Sequence, residues 1–530
     1  MNLILPRMAW ITRVDRKKLL VSALFGNNVE RGHDFLVAGV WNGPFSAGDF
    51  GSTDCFFGTG VIVRENSVIF VSGAGINDAI YYAEDRGCFI AANSLPLLLA
   101  ATEDTLDPHF AFYDRIAESI RAGIDGYEKC IPTAKGRVHR VFAANLRVTR
   151  SSIDEIEKRR PPPFNDFGSY FRYLTESCAS IFYNIRDPDR NHQLDIISTQ
   201  SRGYDTTAVN TIASQHAIDA VFTITEAKES GGFVGVSPPS PESDDGSDIC
   251  EQLGLTATRL DRRLYARSFE DEYLFYTTTH HAEAAKLLGI KPYLRRPSVM
   301  LTGLLGDVVW GTERIGNDSQ GPDLWLHGMS EIGLEWGLIQ LFPAGIGERN
   351  RSDIFRLSMS AEMAPWRLGN DYDRPIPRRI GEDVGRISRD LFGQQKMATV
   401  TEFPSPPVPV GTQLRREYFC FLREHRIVSP LWGWAYPLVH RINARIVFHT
   451  PHHYRYIYYT RRLLSKLVGR DINIQLLYRC LEGRLYCFCV NKRVKDHLAV
   501  LHGQAFAASV PAFSPADQET LQLTSQGLCP

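Results

Sequence analysis

The chain has 530 residues and a formal net charge of −1, with 44% hydrophobic and 22% charged residues. This composition is ordinary for a soluble globular protein of about two to four domains, and the balanced charge gives no reason to expect specific nucleic-acid binding. No stretch reaches the roughly 18 uninterrupted apolar residues of a transmembrane helix, and the N-terminus lacks the pattern of a signal peptide, so we expect a cytoplasmic protein.

The first 158 residues carry the pattern of a β-rich domain. Short runs of β-branched and aromatic residues are separated by Gly, Asn and Asp, as strands are separated by turns. The clearest runs are 35–41, 60–63, 67–71 and 138–142. A stiff proline-rich break follows at 159–163, and we predict that the domain 1–158 ends there.

From residue 164 the pattern alternates between helix and strand. The predicted elements are a helix at 170–184, a strand at 194–197, a helix at 206–216 and a strand at 220–225. Strands that alternate with helices form parallel sheets, so we predict an α/β domain over 164–403. The segment 230–248 is rich in Gly, Ser, Pro and Asp and is predicted to be an insertion after the second strand.

The loop between the strand at 194–197 and the next helix has the residues of a phosphate site. Its sequence over 201–207 is S-R-G-Y-D-T-T. Backbone amides at a helix N-terminus bind anions, and Ser and Thr hydroxyls add donors. Asp205 would repel phosphate unless a cation lies between them, so we predict that it binds Mg²⁺. The alternative is an ordinary strand–turn–helix connection.

The same loop resembles the S-G-G-x-D-S-S pyrophosphate loop of the ATP pyrophosphatases, which cleave ATP between its α- and β-phosphates. Residues 299–311 resemble the L-S-G-x-G-x-D-E-x-x-G-G strand and loop of the asparagine synthetase family. This resemblance places Asp307 on the second magnesium-binding acid. The residues that it implies for ATP are Ser201, Arg202, Gly203, Asp205, Thr206 and Thr207. A helix cap or turn is the alternative role for Asp307.

Two later segments extend the resemblance to the active-site side chains of the family. Residues 360–366 are similar to V-E-A-R-x-P-F and contain Glu362, one residue out of register. Residues 391–398 resemble W-R-x-K-E-Q-F and place Lys396 on the active-site lysine, which would neutralise charge on the departing pyrophosphate. The alternatives are an ion pair of Glu362 with Arg367 and a solvated surface lysine.

The N-terminal region is similar to the class II glutamine amidotransferase domains of the same family. Residues 79–82 and 88–98 resemble P-L-Y-Y and F-A-S-E-x-K-A-L. The resemblance implies an Ntn-like N-terminal domain followed by an adenine-nucleotide α-hydrolase-like domain. Family glutaminases use an N-terminal cysteine, whereas this chain begins Met1-Asn2 and its first cysteine is Cys55, so we do not expect glutaminase activity.

Several positions depart from the synthetase pattern. Arg202 stands where the family has glycine in the pyrophosphate loop. Leu304 replaces an acid or tyrosine, Leu305 replaces a glycine, and Val308 replaces a glutamate. These changes alter the positions of a family-like catalytic dyad, whereas the two acids and the lysine are present.

The resemblance implies an ATP- and Mg²⁺-dependent ligase that adenylates the carboxylate of a small molecule or peptide and passes it to an amine. That amine belongs to the substrate, as in β-lactam synthetase and lasso-peptide cyclase, or is ammonia from solution or from a partner glutaminase or other biosynthetic protein. The alternative is a degenerate relative that binds nucleotide as an accessory protein.

A second proline-rich break at 404–409 precedes a C-terminal segment, 410–530, which we predict to be helical. Within it, residues 414–470 are rich in Lys, Arg and aromatic residues. Such a mixture favours a helical subdomain whose aromatic residues are packed inside. The alternative is a surface that makes peripheral contact with a membrane.

Overall fold

The computed structural model has three large sheets with helices around them. It describes residues 4–85, 87–224, 228–229, 244–260, 271–277, 288–312, 330–370, 372–394, 397–398, 409, 411–427, 463, 465–467, 469 and 474–503.

The first twelve strands all lie before residue 158. Strands β1–β12 are Trp10–Asp15, Leu20–Phe25, Glu30–Arg31, Phe35–Trp41, Phe56–Arg64, Ser67–Val71, Ile80–Asp85, Cys88–Ala92, Cys130–Pro132, Arg137–Val141, Ala144–Val148 and Ile153–Glu157. They form two six-stranded sheets with the orders β2-β1-β8-β7-β10-β9 and β12-β11-β6-β5-β4-β3. The neighbouring strands whose pairing is resolved are antiparallel.

The two antiparallel sheets face each other across a shared core. Trp10 Nε1 on β1 donates to Thr59 Oγ1 on β5 at 3.0 Å, and the rings of Phe70 and Phe89 lie 5.2 Å apart. All seven residues of β4 are buried, in keeping with its uninterrupted apolar sequence. The predicted strand-rich N-terminal region is confirmed.

The later strands build the predicted parallel sheet. Strands β13–β19 are Asp195–Thr199, Ala220–Ile224, Lys228–Glu229, Ala257–Leu260, Ser298–Leu301, Leu338–Leu341 and Met397–Ala398. Five of them form a sheet of order β16-β14-β13-β17-β18, in which all neighbours are parallel. Strands β15 and β19 form a separate antiparallel pair.

Twelve α-helices are described. Helices α1–α12 are Leu95–Ala101, Tyr113–Glu118, Phe167–Ile185, Tyr204–Ala213, Ser247–Gln252, Glu272–Phe275, Gly306–Val309, Ser330–Trp336, Arg351–Met359, Pro375–Arg379, Thr412–Glu424 and Ile474–Gly503. Shorter 3₁₀ turns are Phe45–Ala47, Ser119–Ala122, Lys291–Tyr293, Pro343–Gly345, Glu348–Asn350, Ala361–Trp366 and Arg389–Leu391, and Ile380–Val384 is a π-helix.

Helix α3 connects the antiparallel sheets to the parallel sheet. It begins at a capping box in which Asp166 Oδ1 accepts from Ser169 N at 2.7 Å. At its other end, Asn184 Oδ1 accepts from Trp41 N on β4 at 3.3 Å. The predicted helix at 170–184 lies within α3, and α4 begins two residues before the predicted helix at 206–216.

The described part of the C-terminal segment packs against the N-terminal region. Asn491 Oδ1 on α12 accepts from Leu106 N at 2.8 Å. The rings of Tyr418 and Phe421 on α11 each lie 5.4 Å from Phe488 on α12. These two aromatic residues of 414–470 are therefore inside the fold, while residues 428–462 lie outside the described residues.

A membrane span was not expected from the sequence. Among the residues described above, no helix combines the length and the apolar character needed to cross a bilayer.

A buried ion pair fastens the end of α3 to the N-terminal sheets. Arg190 Nη1 contacts Glu30 Oε2, and both side chains are at most 4% exposed. Arg190 also donates to Asn184 O at 2.6 Å and to Gly39 O at 3.1 Å. Burial raises the pKa of Glu30, although the charge of Arg190 acts to lower it. Removing either partner would therefore leave a buried charge without its counter-charge.

We predict that Arg190→Met lowers the free energy of unfolding by about 3–5 kcal/mol at pH 7, because Glu30 stays buried without a cation. The loss should shrink as the pH falls towards 4.5, since a Glu with a raised folded-state pKa stabilises the fold in its protonated form. The midpoint of chemical denaturation, followed by circular dichroism, measures both effects. The double variant Glu30→Leu/Arg190→Met is the control and should recover most of the stability. Equal losses in the single and double variants would contradict this account.

Candidate functional site

The loop after β13 is closed by its own hydroxyls at the start of α4. Ser201 Oγ and Thr206 Oγ1 lie 3.0 Å apart, and Gly203 N donates to Ser201 Oγ at 3.1 Å. Thr207 Oγ1 donates to Gly203 O at 2.8 Å. The structure therefore brings these four predicted ATP contacts together in one tight turn, where helix amides favour an anion.

Arg202 is held by an acidic segment at the end of the predicted insertion. Its N donates to Asp244 Oδ1 and its Nε to Asp245 O, both at 2.9 Å. Its Nη2 lies 2.9 Å from Asp248 Oδ2. The charge of Arg202 is thus matched within the protein, and a phosphate contact by this side chain would require it to leave these partners.

Asp205 and Asp307 come from the ends of neighbouring strands. Strands β13 and β17 pair in parallel, and each acid lies in the first turn of the helix that follows its strand. A Cβ built on Gly306 would fall 2.4 Å from Asp205 Oδ1, and one on Gly303 would fall 2.9 Å from Thr206 N. The two loops therefore touch directly, which the alternation of strands and helices predicts for parallel strands.

Arg374 pairs with Asp205, and sequence reasoning missed it. Its Nη1 contacts Asp205 Oδ2, and its side chain is 7% exposed. Burial acts to lower the pKa of Arg374, but the carboxylates of Asp205 and Asp307 act to raise it, and the pKa lies above its usual value. The ring of Tyr372 lies 5.1 Å from the guanidinium. Arg374 belongs to no motif, so its position was not readable from spacing.

A second arginine fixes the segment that leads to Lys396. The fully buried Arg378 donates to Tyr204 Oη at 2.6 Å and to Gly393 O at 3.1 Å. Gly393 N donates to Arg202 O at 2.8 Å, so residue 393 lies on the pyrophosphate-loop candidate. Lys396 itself lies outside the described residues, and its role stays a prediction.

Glu362 is engaged by α10 and α3. Its Oε1 lies 2.7 Å from Arg379 Nη1, and its Oε2 accepts from Phe167 N at 3.2 Å. The sequence suggested Arg367 as the ion-pair partner, but the contact is with Arg379, because α10 packs against the 3₁₀ turn Ala361–Trp366. These contacts hold Glu362 against α10 and the start of α3, and neither of them is with Asp205.

The three residues after β17 that differ from the family pattern are packing residues. Leu304, Leu305 and Val308 are all buried. Leu305 has φ 64° and ψ −3°, a left-handed conformation that costs a non-glycine residue roughly 1 kcal/mol. The loop thus keeps a backbone shape suited to glycine, while the leucine side chain fills the core beneath it.

The two acids suit a magnesium ion that arrives with its ligand. Among the described residues, no group of three or more His, Cys, Asp or Glu could hold a metal ion. Mg²⁺ is commonly bound by one or two carboxylates, with substrate phosphates and waters completing its shell. Asp205 and Asp307 fit such a shared ion and do not form a self-sufficient metal site.

Comparison with known proteins adds no relative. No protein-family model matches the sequence, and a search of curated proteins finds no match.

We predict that Gly306→Ala weakens Mg–ATP binding by about tenfold or more, because the new Cβ would lie 2.2 Å from Asp205 Cγ and displace that carboxylate. Calorimetric titration of the folded variant measures the affinity. Gly136→Ala is the matched control, since its Cβ would meet nothing within 4 Å. Wild-type affinity in Gly306→Ala would show that the contact between the two loops does not shape the site.

Proposed function

We propose that the protein is an asparagine synthetase-like ligase that uses ATP to adenylate a carboxylate and then forms an amide. One observation carries this proposal: a hydroxyl-rich loop and two acids, Asp205 and Asp307, lie together at the carboxyl ends of neighbouring parallel strands. Ligands of open α/β sheets bind at this edge. The resemblance of both loops to the family motifs supplies the identity of the ligand.

Each part of the site has a task in this reaction. The 201–207 turn orients the polyphosphate, and bound Mg²⁺ would supply charge neutralisation between Asp205, Asp307 and the phosphate oxygens. A substrate carboxylate oxygen attacks the α-phosphorus, the bond between the α- and β-phosphates breaks, and pyrophosphate leaves. An amine then attacks the acyl carbon and AMP leaves with the electron pair. We propose that Lys396 stabilises the departing pyrophosphate.

The N-terminal region supports an Ntn-like domain without its own glutaminase. Two facing antiparallel sheets, with α1 packed on β7 and β8, suit that architecture. Cys55 offers no substitute nucleophile, because burial raises the pKa of its thiol and its Sγ lies 3.6 Å from Tyr173 Oη. We therefore propose that the nitrogen comes from a substrate amine, free ammonia or a partner protein.

The contacts of Arg202 with acidic residues are relevant to the alternative function, which is that of a nucleotide-binding accessory protein. The backbone N–H of Arg202 already donates to the Asp244 carboxylate. A ligand that uses this N–H must first displace Asp244. An accessory role would require binding without turnover, and one assay separates the two functions.

We predict that the wild-type protein releases pyrophosphate and AMP from Mg–ATP when a suitable carboxylate and amine are present, and that Asp205→Asn reduces the rate by about 10²-fold or more. A panel of amino acids, acidic peptides and uronic acids with ammonium, followed by cell extract, serves as the substrate source. Coupled pyrophosphate detection gives the rate.

Asp154→Asn is the control for this assay, because Asp154 pairs with Arg147 on the surface of the second sheet. ATP binding without pyrophosphate across the whole panel would favour the accessory protein. Absence of both would show that the loop resemblance misled us, and undiminished release in Asp205→Asn would remove the metal assignment.

A further inference from the structure

Arg374 supplies a cation to the edge of the sheet that carries the two acids. Its Nη1 contacts Asp205, its charge interacts with Asp307, and its side chain is 7% exposed. A divalent ion added there without an anion would face the arginine directly, and like charges in a poorly solvated site repel strongly.

The backbone that carries Arg374 is fixed, so only its side chain is free to move. The carboxylate of Asp373 accepts from Leu368 N at 3.1 Å and from Gly369 N at 3.0 Å, and Thr312 Oγ1 donates to Asp373 O at 3.1 Å. The next residue, Pro375, begins α10. The guanidinium can therefore exchange partners without any change in the main chain.

A phosphate bound at the adjoining 201–207 turn would offer Arg374 an alternative partner. Tyr372 lies against the guanidinium, and its Oη would be 3.7 Å from a Cβ on Gly203. The same ring thus borders both Arg374 and the 201–207 turn. A guanidinium has a planar set of donors that matches phosphate oxygens in pairs, so it would keep strong partners after leaving Asp205.

We propose that Arg374 is the resident counter-cation of Asp205 and Asp307 and that it moves to the polyphosphate when Mg²⁺ enters with a nucleotide. The site then admits the metal–nucleotide complex and excludes the free divalent ion. The movement of Arg374 to the polyphosphate rests on the proposed function, whereas the exclusion of the free divalent ion does not.

The test is a titration with Mn²⁺ in the absence of nucleotide, followed by electron paramagnetic resonance. We expect Arg374→Met to bind Mn²⁺ about tenfold or more tightly than the wild-type protein, because the competing charge is gone. With Mn²⁺ present, the same variant should bind ATP about tenfold or more weakly. Arg356→Met is the matched control, since Arg356 pairs with Asp353 on the surface and should change neither value.

Two further variants keep the outcome decisive. Adding Asp205→Asn to Arg374→Met should abolish the gained Mn²⁺ binding, which would locate the ion. Arg374→Lys keeps the charge but not the planar donors, so it should still exclude free Mn²⁺ while ATP binding weakens. This variant serves if Arg374→Met does not fold.

Either of two results would overturn the proposal: a folded Arg374→Met that gains no Mn²⁺ affinity, or Arg374→Lys that binds free Mn²⁺ as the methionine variant does. Failure of the wild-type protein to bind ATP at all would instead reject the proposed function. The metal titration without nucleotide would still decide the role of Arg374.

Discussion

Two carboxylates held at the ends of neighbouring parallel strands must be matched by positive charge, and this constraint organises the site. The pairing of β13 with β17 sets the positions of Asp205 and Asp307, since each acid lies in the first turn of the helix that follows its strand. Gly303 and Gly306 let the second loop approach the first without a side chain between them. Arg374 then supplies a charge that is carried on a different part of the chain.

Two further arginines connect the 201–207 loop to other segments of the chain. Arg378 ties Tyr204 to the carbonyl of Gly393, and Arg202 ties the loop to Asp244 and Asp248. Planar guanidinium groups can bind several acceptors at once, which suits junctions where strands, loops and helices meet. The loop is thereby braced by segments far from it in the sequence, and its shape does not depend on its own hydroxyls alone.

The local elements of the α/β region were predictable, because a strand, a hydroxyl-rich loop and a helix each have a short-range pattern. The parallel pairing followed from the alternation of strands and helices. Arg374 could not be found in this way, since it lies 169 residues from Asp205 and is one among 59 Lys and Arg residues. The partner of Glu362 was missed for the same reason: Arg379 is 17 residues away, whereas Arg367 was nearer in sequence.

The departures from the family pattern illustrate how backbone shape and side-chain chemistry can separate. Leu305 takes a left-handed conformation that glycine would adopt without strain, and its burial compensates for the strain. The pattern of the sequence predicted a loss of family-like chemistry at this position, and it could not predict that Leu305 would adopt a left-handed backbone conformation.

The long helix α12 has a consequence for how the protein is made. Its residues share one core with α1 and with strands β7, β8 and β10. Some 330 residues separate the end of β10 from the first residue of α12. At roughly 5–20 residues per second, a ribosome needs on the order of tens of seconds to cover that distance. During this interval the nascent N-terminal sheets expose the apolar face that α12 will cover. A chain released before residue 474 would keep that face open to water and to other chains.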